Sequence, residues 1–500
     1  MQKMKQGRPE LLFILGLIVL ATDHVTSLEP GAKLRLTKAG VIYANTVAQT
    51  ALGKQLQTLK IDDQSGSSGD VSYRLTNIQT RHVAVPSSSM TLNPDLDGLS
   101  WSLSGFGLSL TADWWAKYNG IIPISDSGSV DIGISSVSLS VTVGLGVDAS
   151  SRPMLVTKSC GSSIGDVSLD FHGGSAWIYN IFKDILAGMV KDALNGQICT
   201  LVTKAINVDA EAQLAKMNVY IEIDNRFLLD YGLIAPVTFT ADYMESLHKG
   251  EVYWITDKKE SPLTPERIPP WGDYSRMLYL WVTEYTANTM AQVAQDHGYL
   301  QYNLTAKDLP ADSKYILNTT CTGMCIGTLI PQIRAKYPNS VVEIHGKSSS
   351  TPLANILDSG LNLGLLGDLV LYARTPDGNL AYLLTLAMKL SLNGTAFIDS
   401  EKVKGNITAY SFKVSVIDSA VGDVSEFALN LLLNAALKLS VIPSFNKMAE
   451  NGFELPITGD IRFQSSKITF LDGVLLVSTD VQYITQTEQV LQFASESDFH

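Results

Sequence analysis

Gly161-Ser162-Ser163-Ile164-Gly165 has the spacing of G-x-S-x-G, which in hydrolases exposes a nucleophilic serine on a strand-to-helix turn. The residues that follow, Asp166 to Phe171, alternate as a strand does, so the required context is missing. Gly144-Leu145-Gly146-Val147-Asp148-Ala149 has the glycines of a dinucleotide loop but ends a strand-like run and opens no helix, and it reads as a turn. The histidines between the chain ends, His82, His172, His248, His297 and His345, are scattered, without H-E-x-x-H or another metal-ligand spacing. Triads are not local in sequence, so spacing alone leaves a dispersed site open, but no acid, base and nucleophile can be named. Cys321 and Cys325 lie four apart in a Gly-containing segment and could close a tight turn. They could also be half of a zinc site, yet no further His or Cys is near enough to complete it. The chain is therefore expected to be no enzyme, with no metal and no cofactor.

The elements around these residues begin with a basic stretch (Lys3, Lys5, Arg8), an apolar run from Leu11 to Ala21, and a polar end at Val25-Thr26-Ser27. This is the pattern of a signal peptide cut after Ser27, and its apolar run is about half of what a bilayer span requires. The expectation is a secreted, extracellular protein. Residues 28–500 hold 34 Lys and Arg against 47 Asp and Glu, a net of −13. Without a basic stripe, nucleic acid is excluded as partner. The sequons Asn303, Asn318, Asn393 and Asn406 all follow residue 300 and are expected to be glycosylated surface positions. An oxidising compartment would allow Cys160 and Cys199 to bridge a loop of about 40 residues, worth about 4 kcal/mol on the chain-entropy argument.

A helical apolar repeat runs from about Lys38 to Leu59. From Val71 to Val147 the period changes to two: Leu108, Leu110, Ala112, Trp114 and Ala116 face one way, and Ser109, Thr111, Asp113, Trp115 and Lys117 the other. Trp115 thus sits on the polar phase beside Lys117, where it either packs under a loop or meets lipid headgroups. Val130, Ile132 and Ile134 are out of phase with Val137, Leu139 and Val141, which predicts a bulge at Ser135-Ser136. A strongly amphipathic helix starts near Ser175, its stripe including Trp177, Ile178, Ile181, Ile185 and Met189. That stripe is broad enough to wall an apolar cavity as well as to pack on a sheet.

Four prolines between Lys258 and Tyr274 deny helix and ladder continuity, as in an inter-domain linker. The order then recurs, with a helix from about Val282 to Gln295, strand-like sequence to about Val421, and an apolar helix from Phe427 to Val441. Ala44-Asn45-Thr46-Val47-Ala48-Gln49-Thr50-Ala51 matches Ala287-Asn288-Thr289-Met290-Ala291-Gln292-Val293-Ala294 at six of eight positions, each in the first helix of its half. Duplication accounts for both observations.

Beyond these patterns, several stretches resemble the family of the bactericidal permeability-increasing protein, the lipopolysaccharide-binding protein and the phospholipid and cholesteryl ester transfer proteins. They are Glu29 to Thr37, Ile124 to Gly128, His172 to Tyr179, Asp230-Tyr231-Gly232-Leu233-Ile234-Ala235-Pro236, Lys249 to Tyr253 and Gly452-Phe453-Glu454-Leu455-Pro456. The resemblance spans about residues 28–483 and is closest to invertebrate members. It implies an α+β fold of two pseudo-symmetric barrels, each a long helix wrapped in twisted antiparallel sheet, joined by a central sheet into a boomerang. The corresponding boundaries are signal peptide 1–27, first barrel 28–257, proline-rich linker 258–277, second barrel 278–484 and tail 485–500.

The resemblance also implies an acyl-chain pocket in each barrel, walled in the first by Leu52, Leu56, Ile178, Ile181, Ile185 and Met189, and it maps the family disulfide onto Cys160 and Cys199. Lys54, Lys60, Trp115 and Lys117 would form the tip that meets lipopolysaccharide or headgroups. The implied partners are phospholipid, lipid A and, transiently, membrane surfaces. The implied function is innate defence against Gram-negative bacteria, with extracellular phospholipid transfer as the alternative and an esterase using Ser163 as the third reading. Residues 28–245 carry 15 basic and 21 acidic groups, a net of −6, so the basic tip of the bactericidal members is weak here. Lys33, Arg35, Lys38, Lys54 and Lys60 are its nearest equivalent.

Overall fold

The computed structural model describes residues 29–57, 63–173, 183, 187–188, 191, 195, 198–200, 202–399, 402–454 and 461–484; among these, no side chain is described for 51–57, 68, 213, 448 and 453–454. The expected signal peptide and tail lie outside the described residues.

Each half is a curled antiparallel sheet of long strands. In the first, Val71–Ala84, Gly98–Tyr118, Ile124–Val147 and Pro153–Ser163 run side by side, with Ser87–Asn93 paired to Gly98–Tyr118 and Asp166–His172 paired to Ile124–Val147. Period-2 alternation puts Leu110, Ala112, Trp114 and Ala116 in the core with Val130, Ile132 and Ile134. The phase switch in Ile124–Val147 is a bulge. Leu108 pairs with Ile134 and Phe106 with Val137, so Ser135 and Ser136 oppose a single Gly107, and Ser136 takes the left-handed φ of 56°.

The second half repeats the plan with Val341–Ser348, Gly360–Arg374, Leu380–Asp399 and Lys402–Ser419, and Leu353–Leu357 as the short partner of Gly360–Arg374. A cover helix, Glu426–Asn451, lies across it. It runs nearly three turns beyond Val441, where the apolar pattern ends. A π segment spans Leu437–Val441, and Pro443 lies in the first turn after it, so the irregular hydrogen-bond ladder sits directly before the residue that lacks an N–H. The strand-like reading of residues 300–340 needs a second correction. Ile326–Leu329 and Pro331–Lys336 are short helices. Ile326, Ile330 and Ile333 recur at i, i+4 and i+7 and are buried in the second-half core.

A central six-stranded sheet joins the halves in the order Thr238–Phe239, Tyr243–His248, Ala32–Thr37, Leu278–Thr283, Val474–Tyr483, Ile461–Leu471. The opening strands of the two halves are antiparallel neighbours, Ala32 against Val282 and Arg35 against Tyr279. Each leads directly into a helix, Lys38–Gln57 in the first half and Glu284–Asp296 in the second.

Residues 258–277 hold neither helix nor strand but are packed down, with Ile268 and Trp271 against Tyr279 and Trp281. Glu260 pairs with Lys249 at 2.7 Å, and the Ser261 N–H donates to Glu251.

The same sheet changes the reading of the basic run. Arg35 is 4% exposed, paired with Glu245 at 2.8 Å, donating to the Trp271 carbonyl and lying 3.9 Å over the Tyr243 ring. Lys33 is also buried, 4.4 Å over Trp281, and its burial lowers its pKa against the opposing pull of Glu245. Neither cation faces a ligand; both are held in the joint between the halves.

Candidate functional site

An apolar cavity of about 520 Å³ lies in the second half between sheet and cover helix. Alternation supplies its sheet wall. Leu365 and Leu369 come from one strand, Met388 and Leu390 from the next, and Phe412 from the third, each pair or single on the inward phase. The cover helix supplies Leu433, Ala436, Leu437 and Val441, which recur at helical spacing. Leu304 and Ile344 close one side.

Glycine makes part of the space. A Cβ at Gly346 would meet Leu369 Cδ2 at 3.1 Å, and one at Gly367 would meet the Lys347 carbonyl oxygen at 2.6 Å. The cavity separates two packed clusters, one around Leu371, Leu384 and Leu429 and one around Leu390, Leu392 and Leu437.

Tyr299, Tyr302, Ser444 and Phe445 line the cavity and are exposed, so they form its mouth. Tyr299 packs edge-on to Phe227 at 5.7 Å, with the Arg226 guanidinium 4.9 Å over its ring and its hydroxyl donating to Asp224 at 3.3 Å. Burial raises the pKa of Tyr302, which stays a neutral phenol at the rim. The mouth therefore opens beside Arg226 and Phe227. Its interior can hold hydrocarbon.

Leu52 and Leu56, expected in the first-half wall, and Lys54, expected at the tip, lie on the opening helix, but their side chains are outside the described residues, as are Lys60, Ile178, Ile181, Ile185 and Met189 altogether. Of that second helix, Ala187 and Ile198 pack against the first-half core, and Lys191 donates to the Gly165 carbonyl.

Trp115 and Lys117 do share one face near the end of the longest hairpin, Trp115 37% exposed with Arg74 5.7 Å over its ring. The turn beyond them, Asn119 to Pro123, exposes Ile121 completely and Ile122 by 74%. Sequence reasoning passed over this pair because two isoleucines beside a Gly-Pro turn continue no periodic face.

Cys160 and Cys199 are bonded, tying Pro153–Ser163 to the second helix, and Cys321 is bonded to Cys325. The Ser163 hydroxyl shares a hydrogen bond with that of Ser138 at 2.8 Å. Asn303, Asn393 and Asn406 are exposed, while Asn318 is half-buried.

Two curled sheets sharing a central sheet, with a hydrocarbon-lined cavity under a long helix that opens at one mouth, define a two-domain binder of apolar ligands. The chain belongs to the LBP / BPI / CETP family. The family's N-terminal domain matches residues 40–210 and its C-terminal domain residues 221–483. It is 28% identical over 473 residues to the bactericidal permeability-increasing protein of Sebastes schlegelii, covering 93% of this chain and 98% of that one. To the human lipopolysaccharide-binding protein it is 25% identical, covering 94% and 97%, and to the phospholipid transfer protein of Mus musculus 23%, covering 96% and 95%. A crystal structure of lipopolysaccharide binding protein superposes with a TM-score of 0.57 at 24% identity, over 91% of this chain and all of that one. That superposition establishes the boomerang of two barrels as the fold.

Proposed function

We propose that this chain is a secreted lipid-binding protein that holds the acyl chains of lipopolysaccharide or phospholipid in apolar pockets and acts in defence against Gram-negative bacteria. It binds rather than catalyses. The observation that carries the reading is the second-half cavity, whose hydrocarbon lining suits an acyl chain and whose exposed mouth leaves a headgroup in water.

By the resemblance of the halves, 28–257 and 278–484 are two barrels. Leu52, Leu56, Ile178, Ile181, Ile185 and Met189 then wall the first pocket, with Trp115, Lys117 and the exposed Ile121 and Ile122 as the tip that meets a lipid surface. Asn303, Asn318, Asn393 and Asn406 carry glycans.

A second reading, extracellular phospholipid transfer without killing, is favoured by charge. The first half has a net of −6, and two of its cations are committed to the central sheet. Long-range attraction to an anionic bacterial surface is then weak and salt-sensitive. Lipid A binding and vesicle-to-vesicle transfer of labelled phospholipid separate the two. The defence reading expects saturable lipid A binding that Lys54→Glu with Lys60→Glu weakens. Fast transfer with undetectable lipid A binding would sink it and leave the carrier.

A further inference from the structure

The cover helix is apolar on both sides. Its inner face, Leu429, Leu432, Leu433 and Ala436, is buried on the sheet and the cavity. Opposite, at i, i+4 and i+11, stand Phe427, 80% exposed, Leu431, 46% exposed, and Lys438, with Leu439 beside them. Among the described residues, a phenylalanine so exposed has little to pack against. The ridge runs on to Phe445, which is exposed and also lines the cavity mouth, so the outer face and the interior meet at one side chain.

We infer that this ridge is where the second half seats on a lipid surface, delivering acyl chains past Phe445 into the cavity. The inference rests on the cavity being a lipid site. Three observations select a lipid layer as the occupant. The ridge is continuous with the cavity mouth. Lys438 is exposed on the ridge face with no ion-pair partner among the described residues, and its stem can lie along the apolar side chains while the ammonium group reaches phosphates. The apolar side chains offer on the order of 400 Å², short of the roughly 800 Å² per partner that a stable dimer buries.

The test uses the full chain, the double variant Phe427→Gln with Leu431→Gln, and Lys438→Glu. The first probe is a fluorescent lysophosphatidylcholine below its micelle concentration, and the second is the same acyl label in phosphatidylcholine vesicles with and without phosphatidylglycerol. The double variant should load the monomeric lipid as the parent does but take label from vesicles about tenfold more slowly, the scale of losing one or two buried apolar side chains. Lys438→Glu should lose the gain in rate that phosphatidylglycerol gives, and a retained gain would remove Lys438 from the contact. Equal vesicle rates for parent and double variant would overturn the ridge while leaving the cavity intact. A dimer of the parent that the double variant dissolves would make the ridge a protein interface instead. If the parent loads lipid from neither source, the cavity reading fails and the ridge with it.

Discussion

Asn45 donates to the Ser88 carbonyl at 3.0 Å, and its amide oxygen accepts from the Ser88 hydroxyl. Asn288, its counterpart in the second half, donates to the Ala354 carbonyl at 3.0 Å and accepts from the Ala354 N–H at 2.8 Å. Ser88 and Ala354 lie in the two short strands that pair with the long strands Gly98–Tyr118 and Gly360–Arg374. The repeated segment is thus a latch, an amide that satisfies an edge strand's free backbone groups and fixes the opening helix against it. Asn288→Ala removes two hydrogen bonds and leaves a backbone donor and acceptor partly buried, which should cost about 2–3 kcal/mol. Urea denaturation checks this; a loss below about half a kcal/mol would mean water replaces the latch without penalty. The repeat was visible in the sequence as identity, but its purpose was not, because the partner strands lie some 43 and 66 residues away and carry no shared motif.

Among elements, strands were the most legible. From Leu110 to Lys117 burial alternates as hydropathy does, and the phase break at Ser135-Ser136 marks a real bulge, because a slip of one residue turns every side chain to the other face. The helices Ile326–Leu329 and Pro331–Lys336 were missed, since each is a turn or so long and the three isoleucines that link them read equally well as strand. The cavity was still less legible. Leu365, Met388, Leu390, Phe412, Leu433 and Phe445 come from three strands and a helix, and each looks like ordinary core in its own segment. The Cys160–Cys199 bond joins a strand to the helix expected to wall the first pocket. Cys160→Ser should lower stability by about 4 kcal/mol through the freed 39-residue loop of the unfolded chain, read as a drop in the unfolding midpoint. An unchanged midpoint would show that the unfolded chain is already confined there.

At the scale of the molecule, the halves share one sheet. Three of its strands come from residues before 250 and three from residues after 275, and the seam is the antiparallel pair Ala32–Thr37 and Leu278–Thr283. The duplication seen in sequence foretold two similar bodies. It did not foretell that Lys33 and Arg35 would be buried in the seam, because a cation in an alternating strand reads as solvent-facing until its partner Glu245, some 210 residues later, is placed beside it. What the second half presents to solvent is a hydrocarbon-lined cavity with its mouth beside Arg226 and Phe227. Native mass spectrometry of the chain secreted from cells, followed by lipid extraction, tests that claim most directly. The account predicts a bound phospholipid-sized mass that is lost, in a variant folded like the parent, when Ala436→Trp fills the cavity. A parent free of lipid, or a variant that retains the full complement, would contradict it.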